Sequence, residues 1–112
     1  MSWRILHSTF IDNRAIGRGA NPAQAGTPGG GSGGAIYADG NTFHIRLTDP
    51  TIVDNSDKEG GGAIFFVSND RTGTLSVDSS VLRRNASLGF ENYLGIFFLG
   101  NGRPRFTDSV VR

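Results

Sequence analysis

The chain has no cysteine. That excludes a disulfide framework and a thiolate metal site, and it leaves the redox compartment unspecified. An excess of either charge is also missing: 11 Lys and Arg stand against 10 Asp and Glu, for a net charge of +1 over 112 residues. Such a balance implies no polyelectrolyte partner. The basic residues are scattered, with Arg83-Arg84 their only adjacent pair, which argues against nucleic acid. Long hydrophobic runs are lacking as well. The longest, Ala63 to Val67 and Ile96 to Leu99, fall far short of a membrane span, which needs about 20 apolar residues. Met1-Ser2-Trp3-Arg4 opens no signal-peptide pattern. Helix periodicity is nearly absent, because Gly or Pro breaks every stretch with apolar residues at 3.6 spacing.

What the chain does have is glycine, at 17 positions, and a repeat. Excess glycine without a three-residue period signals tight turns, linkers or both. The tetrad Gly33-Gly34-Ala35-Ile36 returns as Gly61-Gly62-Ala63-Ile64 and, degraded, as Tyr93-Leu94-Gly95-Ile96. A second pattern (apolar, x, x, Ser or Pro, x, apolar, x, x, Asn) runs from Ile5 to Asn13, from Leu47 to Asn55 and from Val77 to Asn85, and starts again at Phe106. Ile36 to Ile64 is 28 residues, Ile64 to Ile96 is 32, and Asn55 to Asn85 is 30. Periods of this size mark solenoids or propellers, and a propeller blade needs about 40 residues. Short strand signals fill each unit, and Phe43 to Leu47 and Leu75 to Val77 alternate strictly.

The expected fold is therefore all-β: a right-handed parallel β-helix solenoid of about three to four coils, each with three short strands. Residues 1–112 form a single repeat domain, with an inserted Gly/Pro-rich loop at 17–32 that lengthens the first interval between ladder asparagines, Asn13 to Asn55, to 42 residues. Asp57 to Gly60 and Ala86 to Asn92 are shorter loops at the same corner. Stacking at about 4.8 Å per coil predicts inner columns of Ile36, Ile64 and Ile96, of Ile5, Leu47, Val77 and Phe106, and of Phe10, Ile52, Leu82 and Val111. Asn13, Asn55 and Asn85 form an amide ladder, and Asn tolerates the left-handed backbone of a sharp corner. The ladder's next Asn falls due beyond Arg112 and neither end carries a capping repeat, so the expectation is a truncated piece of a longer solenoid.

The paired Gly-Gly-Ala-Ile and Phe-x-x-Asn signatures, as in Gly33 to Ile36 and Phe10-Ile11-Asp12-Asn13, resemble the repeats of chlamydial polymorphic outer membrane proteins. They are also similar to the wider bacterial right-handed parallel β-helix repeat proteins of pectin lyase-like shape. Ile52-Val53-Asp54-Asn55 and Leu82-Arg83-Arg84-Asn85 carry the second signature with an aliphatic in place of Phe. The resemblance implies a secreted or cell-surface protein. It favours a non-catalytic scaffold or adhesin-like module, with a polysaccharide or cell-surface ligand, or end-to-end self-association, as its partners. The alternative is a fragment of a carbohydrate-active enzyme, a polysaccharide lyase or glycosidase with an acidic groove.

No catalytic, cofactor-binding or metal residue is assigned, and no cofactor is implied. His7, Asp49, Ser79 and Asp108 share one register, but a triad needs His between Ser and Asp, and here Asp49 would lie between His7 and Ser79. Asp54, Asp57 and Glu59 cluster at one corner and Asp70-Arg71 marks another; acids beside Gly and Asn are ordinary turn formers. Two carboxylates two coils apart, Asp49 and Asp108, stand about 9 to 10 Å from each other, the upper edge of the inverting-glycosidase range. His44 points outward and is expected to lack a partner. The tract from Gly29 to Gly34 lacks the Lys-Ser/Thr and the helix of a phosphate loop. Of the pairs Phe65-Phe66 and Phe97-Phe98, one ring of each must face out, beside Tyr37, and an exposed apolar patch of that kind marks a contact surface: a sugar-binding groove or, as the favoured expectation, a face covered by another segment of a longer parent or by a partner chain.

Overall fold

The computed structural model describes residues 1–17 and 31–112. Residues 18–30, most of the inserted loop, lie outside the described residues. The first coil holds β1 (Ser2–Leu6), β2 (Thr9–Ile11) and β3 (Arg14–Ala15). The second holds β4 (Ile36–Gly40), β5 (His44–Thr48), β6 (Thr51–Val53) and β7 (Ser56–Asp57). The third repeats it as β8 (Ile64–Ser68), β9 (Thr74–Asp78), β10 (Val81–Arg83) and β11 (Ala86–Ser87), and the last has β12 (Ile96–Leu99), β13 (Arg105–Thr107) and β14 (Val110–Val111). Every strand pairs in parallel with its counterpart one coil away, in four sheets ordered β12-β8-β4, β1-β5-β9-β13, β14-β10-β6-β2 and β11-β7-β3. The fold is a short parallel β-helix, and among the described residues there is no helix. The second and third coils hold the three expected strands, and a fourth of two residues joins them after the ladder asparagine.

The register follows from the side chains. Ile36 pairs with Ile64 and Ile64 with Ile96. Ile5, Leu47, Val77 and Phe106 fall in one line, and Phe10, Ile52, Leu82 and Val111 in another. The middle members of each column are fully buried. A one-residue slip would turn every one of them outward, which is why the alternation pins the pairing. A fourth inner line, of the rings Phe43, Phe66 and Phe98, has centroids 4.6 and 4.9 Å apart.

The asparagine ladder is continuous. Asn13 donates its backbone N–H and its amide to Asn55 Oδ1 (2.9 and 3.0 Å), and Asn55 does the same to Asn85 Oδ1 (3.1 and 3.0 Å). Asn55 Nδ2 also reaches Phe10 O at 2.9 Å, and Asn85 Nδ2 reaches Ile52 O at 2.9 Å. The left-handed residue of this corner is not the asparagine but the one before it: Asp12, Asp54 and Arg84 have φ of 57°, 58° and 52°. The amide is left free to bond along the stack.

A second left-handed corner precedes each Ser or Pro of the repeat, at His7, Asp49, Ser79 and Asp108, with φ between 47° and 55°. Ser8, Ser80 and Ser109 then bond back to the carbonyls of Leu6, Asp78 and Thr107 at 2.8 to 2.9 Å. A serine here closes the turn with its own hydroxyl.

Gly61 begins a tetrad with φ +75°, and a Cβ on it would lie 2.1 Å from Ile64 O. Gly102 has φ +66° with nothing within 4 Å of its Cβ position. Gly102→Ala is therefore expected to cost about 1 kcal/mol, the left-handed penalty alone, and Gly61→Ala more than about 3 kcal/mol because backbone must also move. Denaturant midpoints of the two variants check this; equal losses would contradict it.

One strand edge carries a local cap. Asn92 Nδ2 donates to Phe98 O at 2.7 Å and Phe98 N donates to Asn92 Oδ1 at 2.8 Å. The side chain occupies the peptide groups of β12 that a further strand would use. The amide blunts that edge locally.

Candidate contact face and buried acid corner

The outer face of β4-β8-β12 carries aromatic rings because alternation sends Phe65 and Phe97 out while Phe66 and Phe98 go in. Tyr37 and Phe65 stack nearly parallel, with centroids 4.9 Å apart and planes at 2°. Phe65 and Phe97 follow at 5.6 Å and 25°. Phe90, from the segment after β11, closes one side: its ring meets Phe97 edge-on at 4.8 Å and Phe65 at 6.5 Å. Together with Ser32, Asp39 and Leu99 these rings line a cleft of about 320 Å³. Tyr37 is 54% exposed. Its hydroxyl donates to Asp39 Oδ2 at 3.3 Å, and burial first, then the Asp39 charge, push its pKa above the usual value. Offset-stacked rings in register add to sheet stability beyond the area they bury.

Of the three acids expected to cluster, Asp57 and Glu59 stay together and Asp54 leaves them. Asp54 turns outward and takes a two-pronged bond from Arg84, at 2.6 Å to Nε and 3.0 Å to Nη2, which holds its carboxyl below the usual range. Asp57, at the inward position of β7, is 1% exposed. Neither of its carboxylate oxygens has a hydrogen-bond partner. The nearest donors, the Ser87 hydroxyl and the Leu88 N–H, pull its pKa down in part. Both are committed elsewhere, Ser87 to Phe90 O at 2.9 Å and Leu88 to the backbone carbonyl of Asp57 at 3.3 Å. Burial wins, aided by the charges of Glu91 and Glu59, and the Asp57 carboxyl is pushed up to about 6. Glu59 accepts from Gly31 N at 2.6 Å, and Glu91 accepts from Gly95 N. Glu91 was missed among the acids of this corner, although the loop that carries it, Ala86 to Asn92, already falls there in the sequence.

The remaining candidates serve turns. His7 Nδ1 lies 2.8 Å from Asp49 Oδ2 with both side chains well exposed. Ser79 and Asp108 continue the same left-handed corner in later coils, so the column is one of backbone conformation, where Asp and His are enriched. His44, expected to lack a partner, has one: its Nδ1 is 2.8 Å from Thr74 Oγ1, the residue in register above it. Asp70 accepts from Thr72 N and Oγ1, Thr42 Oγ1 and Ser68 Oγ at 2.7 to 3.1 Å, and these bonds hold its carboxyl down at about 2. Among the described residues no three His, Asp or Glu are arranged to hold a metal ion. No helix of the described residues is long and apolar enough to cross a membrane.

Stacked parallel sheets, aliphatic columns and an asparagine ladder define a parallel β-helix repeat protein. The family model of the Chlamydia polymorphic membrane protein repeat matches residues 7–39, a span that contains both Phe10-x-x-Asn13 and Gly33-Gly34-Ala35-Ile36. Comparison with curated proteins and with solved structures finds no match.

Proposed function

We propose that residues 1–112 act as a single non-catalytic domain, a scaffold or adhesin-like module of a secreted or surface-displayed protein. The observation that carries this reading is the Tyr37-Phe65-Phe97 column, an apolar ridge of stacked rings held in register by strand pairing. The membrane-protein name of the matching repeat supports surface display. The ligand class is a polysaccharide or cell-surface glycan: the apolar faces of sugar rings pack on aromatic surface, and Asp39 and Ser32 at the cleft offer polar partners for hydroxyls. A carbohydrate-active enzyme would need its acids in one groove. Asp54 is engaged with Arg84 on the outside while Asp57 faces inward, which favours the scaffold.

Tyr37→Ser and Phe97→Ser are expected to keep the far-UV circular dichroism of the parent and to reduce retention on an immobilised polysaccharide panel at least tenfold, an effect of about 1.4 kcal/mol. Retention unchanged in both folded variants would end this reading.

A further inference from the structure

We infer that the Asp57 corner is a proton-operated latch on the aromatic face: protonated Asp57 lets the 88–91 segment lie closed with Phe90 against Phe97, and ionised Asp57 releases it. The inference rests on the reading of that face as a contact surface, and it names how the surface would be regulated.

Geometry links the two places. The 88–91 segment follows β11, whose Ser87 stands in register with Asp57. Phe90 N donates to Glu59 O at 2.6 Å, and Gly61 N donates to Phe90 O and to Ser87 Oγ, each at 3.2 Å. The Phe90 ring lies on Gly60, where a Cβ would meet Cε2 at 2.0 Å. One short stretch of chain therefore runs from Ser87 and Leu88, which stand against Asp57, to the Phe90 ring packed on Phe65 and Phe97.

The charges around Asp57 favour release. Glu59, on the segment after β7, and Glu91, on the closing segment, both act on it with like charge. From β3 the neighbours are Arg14 and Ala15, and Arg14 is turned outward to Asp12 at 3.4 Å. From β11 they are Ala86 and Ser87, which are uncharged. Lys58 is exposed. An ionised carboxylate in that place is relieved by reaching water, which requires the segment to open.

The sign follows from proton counting. The closed form holds Asp57 at about 6 against an ordinary 3.8. Between those values the closed form binds more protons than the open one, so closure is fully present below about 4 and weakens as pH rises through about 6. From pH 5 to pH 8 the opening constant should rise about tenfold.

Amide hydrogen exchange of the unliganded chain tests this. Protection of the Phe90 and Gly61 amides, corrected for intrinsic rates, should fall about tenfold from pH 5 to 8 relative to Val81, whose N–H donates to Pro50 O at 3.1 Å in a distant corner. Asp57→Asn should abolish that extra fall, and Glu91→Gln, which keeps an acceptor for Gly95 N, should reduce it. Phe90 and Gly61 tracking Val81 in the parent would overturn the latch, as would the same extra fall in Glu91→Gln and in any folded Asp57→Asn. If Asp57→Asn does not fold, a carbon-13 titration of the parent decides: a midpoint for Asp57 below 5 overturns it. No ligand enters the experiment, so loss of glycan binding and loss of the latch are separate results.

Discussion

Asn55→Ala is expected to destabilise the fold by about 3 to 5 kcal/mol, read as the shift of the denaturant midpoint at constant slope. Asn55 is 0% exposed. Its Oδ1 accepts the Asn13 N–H and amide, and its Nδ2 donates to Phe10 O, Val53 O and Asn85 Oδ1. Truncation removes these bonds together and leaves groups of three coils without a partner in a dry corner. Each orphaned group costs about 1 to 3 kcal/mol, and incomplete burial of the first coil brings the total below the plain sum. Asn13→Ala, at an exposed position in the first coil, should cost about 1 kcal/mol or less. Similar losses at the two sites would mean that the ladder does not bond along the axis.

Phe66→Ala is expected to cost about 3 to 5 kcal/mol, a loss comparable with the whole stability of a small domain. Phe66 is the middle ring of the inner stack, between Phe43 and Phe98, and it is fully buried. Neighbouring coils are fixed by their sheets at one spacing, so they cannot collapse into the cavity. Phe66→Leu should recover more than half of the loss by refilling most of the volume. If thermal melts place Phe66→Ala within about 1 kcal/mol of the parent, this ring does not sit inside the coil.

The columns were legible because a solenoid repeats its constraints. Ile36, Ile64 and Ile96 must each pack on an equivalent side chain, so the sequence repeats an aliphatic every 28 to 32 residues. The outward and inward rings were legible in the same way, since in Phe65-Phe66 and Phe97-Phe98 alternation allows only one ring of each pair inside. The fourth sheet was not. Arg14–Ala15, Ser56–Asp57 and Ala86–Ser87 are two residues long, and two residues carry no period. For the same reason Asp57 looked like a turn aspartate: nothing local told its inward direction from the outward one of Asp54. The left-handed corners were hidden because His7, Asp49, Ser79 and Asp108 share a backbone angle and not a chemistry. The latch partner Glu91 sits in a loop of its own coil and meets Asp57 only through the stack.

The fold depends on lateral pairing of equivalent residues in consecutive coils. Methyl nuclear Overhauser effects in a sample labelled at isoleucine δ1 test that pairing most directly. The prediction is cross-peaks linking Ile64 to Ile36 and to Ile96, which flank it in β4 and β12. An Ile64 methyl with no cross-peak to either would contradict it.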